Sequence, residues 1–292
     1  MTNRLLVAVL FGALLPADAA AQLQARAADG ESRYTSLEKT RIHYKSYGKG
    51  SEALVLIHGW SCNLDNWRDQ IPDLAKRARI IALDLPGHGQ SDKPQLTYSM
   101  DLFARAVEAV LRDADVRGAV LVGHSMGTPV ARQFYRRYPD KTLGIVVVDG
   151  PLTPFADKQG MEAFMAPFRG PNYQEAGLGM LAAMAGPGMP AEGKERIQTS
   201  FLNTPQHVLL SAIEGLADES IWTPDPINVP VLAILAESRA YPADIEQRVR
   251  SVTPKLELLM WDGAGHFLMM EHPKRFNDAV IAFLNKNGLL KR

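Results

Sequence analysis

The sequence predicts an α/β fold: a mostly parallel central sheet with helices on both faces and a helical insertion between two strands. Three observations predict it. Continuous apolar runs of strand length recur, among them Ala53-Leu54-Val55-Leu56-Ile57 and Leu143-Gly144-Ile145-Val146-Val147-Val148. Lacking polar alternation, they read as strands covered on both faces, as parallel sheets require. Helix-length segments separate these runs, and strands alternating with helices imply right-handed crossovers. The polar residues gather where the runs end, and ligands bind such sheets outside the carboxyl ends of the strands.

Each element has its own local reason. Residues 33–37 and 41–47 alternate as the half-buried strands of a hairpin do, and Gly48 and Gly50 end the second. The apolar run 53–57 is a parallel strand that stops at His58-Gly59-Trp60. A helix is expected over Leu64 to Ala78, with Pro72 disturbing its middle. Arg79 to Leu85 is a further buried strand, running into Asp84-Leu85-Pro86-Gly87-His88-Gly89-Gln90-Ser91-Asp92. Ser99 stands at an N-cap before a helical stripe of Leu102, Ala106, Ala109, Val110 and Ala114. Ala119-Val120-Leu121-Val122 is a strand, and Thr128 to Tyr138 a helix. Residues 143–148 form the next strand, ending at Asp149-Gly150.

The texture then changes to methionine, glycine and proline, with helical pieces near 158–168, 172–185, 191–202 and 205–217. Pro224 and Pro226 close this stretch, and residues 151–226 read as a cap over a core made of 22–150 and 227–292. Strand rhythm resumes at 229–235. A helix near 242–251 and a strand over 256–261 follow, then the turn Asp262-Gly263-Ala264-Gly265-His266. A last helix runs from about Pro273 to Asn287, with Phe276, Val280, Phe283 and Leu284 on one face.

Composition excludes several function classes. Lys+Arg and Asp+Glu balance at 32 each, so no basic face is expected for nucleic acid. Arg4, the apolar run Leu5 to Leu15 and small residues around Ala17 to Ala21 read as a signal peptide over 1–21, implying a periplasmic or secreted protein. That run is too short to span a bilayer, and no later one is long enough. Cys62 is the only cysteine, so an intramolecular disulfide cannot form. It reads as a small packed residue beside the site. No metal-ligand spacing or phosphate loop appears, and no cofactor is expected.

The chemistry centres on Gly123-His124-Ser125-Met126-Gly127, set between a strand and a helix. That setting makes Gly-x-Ser-x-Gly a nucleophile elbow: the turn is so tight that the positions flanking the serine by two must lack side chains. A serine hydroxyl needs a base to take its proton as it attacks, and His266 in Gly-Ala-Gly-His is the candidate.

With His58-Gly59, the Asp84 to Ser91 turn, the elbow, Gly265-His266-Phe267 and Glu271-His272-Pro273 in this order, the chain resembles the α/β-hydrolases across about residues 33–288. The resemblance implies an α/β-hydrolase fold, catalysis by Ser125 and His266, and an oxyanion hole from the backbone N–H groups of Trp60 and Met126, with the Trp60 indole as a further wall or donor. The acid departs from the commonest pattern, which places Arg239 at its position. Asp149, at a position used by some relatives, is favoured, and Glu237 is the alternative. The implied activity is cleavage of a carboxylic ester or related acyl bond of a small hydrophobic substrate. Relatives with the same triad act as cofactor-free haloperoxidases, perhydrolases or carbon–carbon bond hydrolases, and the fold also serves as a non-catalytic binding module. The cap offers Met161, Phe164, Met165, Phe168, Tyr173, Met180, Leu181 and Met184 as candidate walls.

Overall fold

A computed structural model describes residues 30–154, 156–237 and 241–290. The signal peptide expected over 1–21 and the position of Arg239 lie outside them. Eight strands form one sheet in the order β1-β2-β4-β3-β5-β6-β7-β8. β1 (Glu31–Leu37) and β2 (Thr40–Tyr47) form the hairpin, and β2 lies antiparallel to β4 (Ile80–Leu83). β3 (Glu52–Ile57), β5 (Gly118–His124), β6 (Thr142–Val148), β7 (Val231–Ala236) and β8 (Leu256–Trp261) are parallel to their neighbours. The unalternating runs are covered on both faces: all of β4, β5 and β7 is buried, as is all of β3 beyond Glu52.

The chain moves from β3 outward to β4, then crosses back to lay β5 on the other side of β3. Strand order reverses there, so the loops after β3 and β5 part and leave a crevice between them. Around the sheet lie α1 (Ile71–Arg77), α2 (Met100–Asp113), α3 (Gly127–Arg137), α8 (Ile245–Val252), α9 (Leu268–Glu271) and α10 (Pro273–Lys286). Ser99 caps α2 as its residue type dictates, its hydroxyl accepting the Leu102 N–H at 3.1 Å.

The helix expected over 64–78 is two pieces. A 3₁₀ turn spans Leu64–Trp67, capped by Asn63, and α1 begins afresh at Ile71 with Pro72 in its first turn. Proline starts this helix because its missing N–H falls among donors that have no intrahelical partner anyway.

Between β6 and β7 the described residues form four α-helices, α4 (Lys158–Arg169), α5 (Tyr173–Met184), α6 (Ala191–Leu202) and α7 (Gln206–Leu216), and a 3₁₀ turn over Glu219–Trp222. Three of them, α4, α6 and α7, meet Trp60 of the core. Its ring lies 4.9 Å from Phe168, 6.0 Å from Phe164 and 6.1 Å from Phe201, and its indole N–H donates to the Leu209 carbonyl at 2.9 Å.

Candidate active site

Ser125 sits at φ 51°, a left-handed conformation that costs a non-glycine residue about 1–3 kcal/mol. Its neighbours make the turn possible. A Cβ at Gly123 would strike the Gly127 carbonyl, and one at Gly127 would strike the Ile57 carbonyl. The Ser125 N–H donates to Val148 O at 2.9 Å, and the Thr128 hydroxyl ties the helix start back to Gly123 O at 2.9 Å. The serine thus stands above the sheet at the N-terminus of α3, where the helix dipole favours negative charge.

Asp149 ends β6 next door, also left-handed at φ 44° and only 8% exposed. Oδ2 lies 2.7 Å from His266 Nδ1. Oδ1 accepts the Ala236 N–H at 2.8 Å and the Tyr241 hydroxyl at 3.1 Å. Burial and the adjacent carboxylate push the Tyr241 phenol well above its ordinary pKa, so it stays a donor. Because it faces a carboxylate, His266 Nδ1 is the nitrogen that carries hydrogen, and in the neutral ring the lone pair is then on Nε2. Glu237 stands exposed; its backbone N–H donates to Trp261 O at 2.9 Å, and among the described residues its carboxylate has no hydrogen-bond partner.

The His266 backbone is held as firmly as its ring. Its N–H donates to Met184 O at the end of α5, and its carbonyl accepts His124 Nε2, both at 2.9 Å. Burial keeps His124 neutral by pushing its pKa well below the histidine range.

Trp60 and Met126 are buried, and among the described residues neither backbone N–H has a protein acceptor. Gly59 brings the Trp60 turn against the elbow: a Cβ there would lie 3.0 Å from both Ser125 Cβ and His124 Nδ1. The Trp60 indole is engaged with Leu209, so it is a wall of the site and not a further donor to it.

Ser125, His266, Asp149, Trp60, Met126 and Tyr241 all line one cavity of about 960 Å³. Of the expected walls, Phe164, Met180, Leu181 and Met184 face it. Met161, Met165 and Phe168 are buried in cap packing, and Tyr173 is half-buried against the core. Leu152, Ile213, Leu216, Leu235 and Ile245 complete an apolar lining. Cys62 is buried beside it, its thiol pushed up to about 12 by burial. Sequence reasoning missed Tyr241. A lone tyrosine past a strand carries no motif, and only the fold puts its hydroxyl beside Asp149.

Other polar residues fix the loops. Asp84 accepts Leu64 N at 2.8 Å, Gln90 N at 2.9 Å and His43 Nδ1 at 2.7 Å. Burial alone would raise its carboxyl, but these three donors hold it below the usual carboxylate range. Ser32 Oγ lies 2.9 Å from His43 Nε2, so Ser32, His43 and Asp84 form a second hydrogen-bonded line. Ser32 sits on the edge strand β1, at neither a strand-to-helix turn nor a helix N-terminus.

The alpha/beta hydrolase fold family matches residues 52–183. A non-heme chloroperoxidase of Streptomyces lividans is 30% identical over 275 residues, 86% of this chain and 98% of that protein. A 2-hydroxy-6-oxononadienedioate/2-hydroxy-6-oxononatrienedioate hydrolase of Burkholderia vietnamiensis is 29% identical over 267 residues, 84% of this chain and 91% of that one. Curated relatives differ in length, so that the chain spans 35% of one and 65% of another. Among solved structures, an N-acyl homoserine lactone degrading enzyme superposes with a TM-score of 0.76 at 28% identity, covering 86% of this chain and all of that one. With eight strands in this order and the serine elbow at the switch point, the chain belongs to the alpha/beta hydrolase fold family.

Proposed function

We propose that the protein is a serine hydrolase that cleaves a carboxylic ester, open-chain or cyclic, through an acyl-Ser125 intermediate. The observation that carries this reading is the 2.7 Å contact of His266 Nδ1 with Asp149 Oδ2 in the cavity that Ser125 also lines. In this reading His266 Nε2 takes the Ser125 proton as Oγ attacks the carbonyl carbon. Asp149 holds the required tautomer and stabilises the imidazolium. The oxyanion is met by the Trp60 and Met126 N–H groups, each worth about 3–4 kcal/mol of barrier. His266 then protonates the departing alkoxide, and water repeats the sequence to release the acid.

The lining favours an apolar substrate. Met180 and Met184 adapt to varied shapes, and among the described residues the one lysine or arginine on the cavity, Arg248, is paired with Asp244 at 2.8 Å. A dioate, as in the name of the Burkholderia relative, would present two carboxylates to this surface, which favours an ester over carbon–carbon cleavage. The lactone-degrading neighbour supports including cyclic esters. The chloroperoxidase relative favours a second reading, in which hydrogen peroxide replaces water at the acyl-enzyme and a peracid leaves. Export rests on the apolar run near the N-terminus. N-terminal sequencing of the protein recovered from cells checks it, and a chain that keeps residues 1–19 ends it.

A p-nitrophenyl ester chain-length series, with an acyl homoserine lactone and with acetate plus peroxide alongside, tests the activity. Turnover by the wild type, lost in Ser125→Ala, is expected. A fluorophosphonate should label Ser125 and leave Ser32 untouched. Hydrolysis that survives Ser125→Ala would refute the reading.

A further inference from the structure

Glu271 opens Glu271-His272-Pro273, a motif to which the proposed chemistry gives no role. It ends α9, is 7% exposed, and uses both carboxylate oxygens on backbone. Oε2 accepts the Gly265 N–H at 2.8 Å, one residue before His266. Oε1 accepts the Gly186 N–H at 3.0 Å, two residues past the end of α5 in the cap. The two glycines touch back to back, so that a Cβ on either would strike the other's N–H. Beside them the His266 N–H donates to Met184 O at 2.9 Å. The last turn of α5 and the loop carrying the base are therefore one hydrogen-bonded unit, closed by a single buried carboxylate.

We propose that Glu271 is a positioning residue: it fastens the cap to the His266 loop, so that the base is in place only while this end of the cap is docked. This rests on the serine hydrolase reading above. The reason is geometric. Asp149 fixes the imidazole at one nitrogen and the His124 and Phe267 rings lie 4.7 Å and 5.3 Å from it, but where the ring stands relative to Ser125 is set by the backbone that carries it. That backbone is held from the cap by Met184 O and from the core by His124. Without Glu271, the part-buried Gly186 and Gly265 N–H groups lose their acceptor. Hydrating them draws the two touching glycines apart, and with them Met184 O from the His266 N–H.

Glu271→Gln is the test. It keeps the shape but sets an amide N–H₂ against one of the two backbone donors. Expected is a fall in kcat of roughly tenfold to a hundredfold with KM within about twofold, since a small misplacement of the base can cost that much. Amide exchange should quicken at 184–186 and 264–266 relative to the rest of the chain. Gly186→Ala, which forces the same two segments apart by collision, should reproduce both changes. An unchanged kcat in folded Glu271→Gln overturns the proposal, whether or not exchange quickens, because the link then does not place the base. A wild type without esterase activity or fluorophosphonate labelling would remove the hydrolase reading, and exchange at His266 alone would then decide the fastening.

Discussion

At Asp149 one carboxylate organises three groups: the His266 ring, the Ala236 N–H and the Tyr241 hydroxyl. Replacing it by asparagine puts an amide where an acceptor is needed and favours the wrong imidazole tautomer. Asp149→Asn is expected to lower kcat for ester hydrolysis by about 10³–10⁴-fold. Glu237→Gln, at an exposed position on the next strand end, should stay within about twofold. The opposite pattern in a steady-state comparison would move the acid to Glu237. Tyr241→Phe removes one of the three hydrogen bonds, worth about 0.5–1.5 kcal/mol. Its kcat should fall by up to about tenfold with KM nearly unchanged. Both carboxylates were legible as candidates because each ends a strand between the serine and the histidine. Choosing between them needed the sheet, since neither local sequence says which way its side chain turns.

Among the elements, glycines separate what is required from what is tolerated. In α5 a Cβ at Gly177 would collide with the Phe201 ring of α6, whereas one at Gly179 meets nothing within 4 Å. Gly179→Ala should therefore stabilise the protein by roughly 0.5–1 kcal/mol, the helix preference for alanine over glycine. Gly177→Ala should destabilise it by about 1–3 kcal/mol through overpacking. Thermal unfolding of the pair separates the two effects, and equal melting shifts of one sign would contradict this packing. The sequence placed all four cap helices to within a residue or so, because proline and glycine punctuate them. It did not separate walls from packing: Met161 and Phe164 are three positions apart in one helix, yet one is buried in the cap and the other faces the cavity.

For the whole molecule, three buried histidines set a dependence on pH. Burial lowers the pKa of His58, His88 and His124, with His88 reaching about 3. Between those lowered values and the unfolded value near 6.5, the unfolded chain binds the extra protons. Stability is thus complete above about pH 6.5 and falls as pH drops below it, because the unfolded chain takes up protons that the buried rings do not. Asp84 acts at lower pH: its depressed carboxyl stabilises the fold above the unfolded value, and that contribution is lost as pH falls through the folded one. The melting temperature should be flat from pH 8 to 7 and drop clearly by pH 5, with His88→Asn flattening part of the slope. A melting temperature constant from pH 7 to 5 would contradict it.

The sequence by itself determined the strand and helix rhythm, the serine elbow and the loop histidine, because each depends on neighbours a few residues away. Pattern and turn chemistry are local, and they survive in one dimension. The tertiary structure alone decided which carboxylate meets His266, that Tyr241 supports it, and that Glu271 bridges a cap glycine to a core loop. Apart from Glu271 to Gly265, six residues apart, those contacts join positions 85 to 117 residues apart, across a sheet whose order reverses at the site. No periodicity in the chain encodes such a meeting; the packing of the strands and the cap creates it.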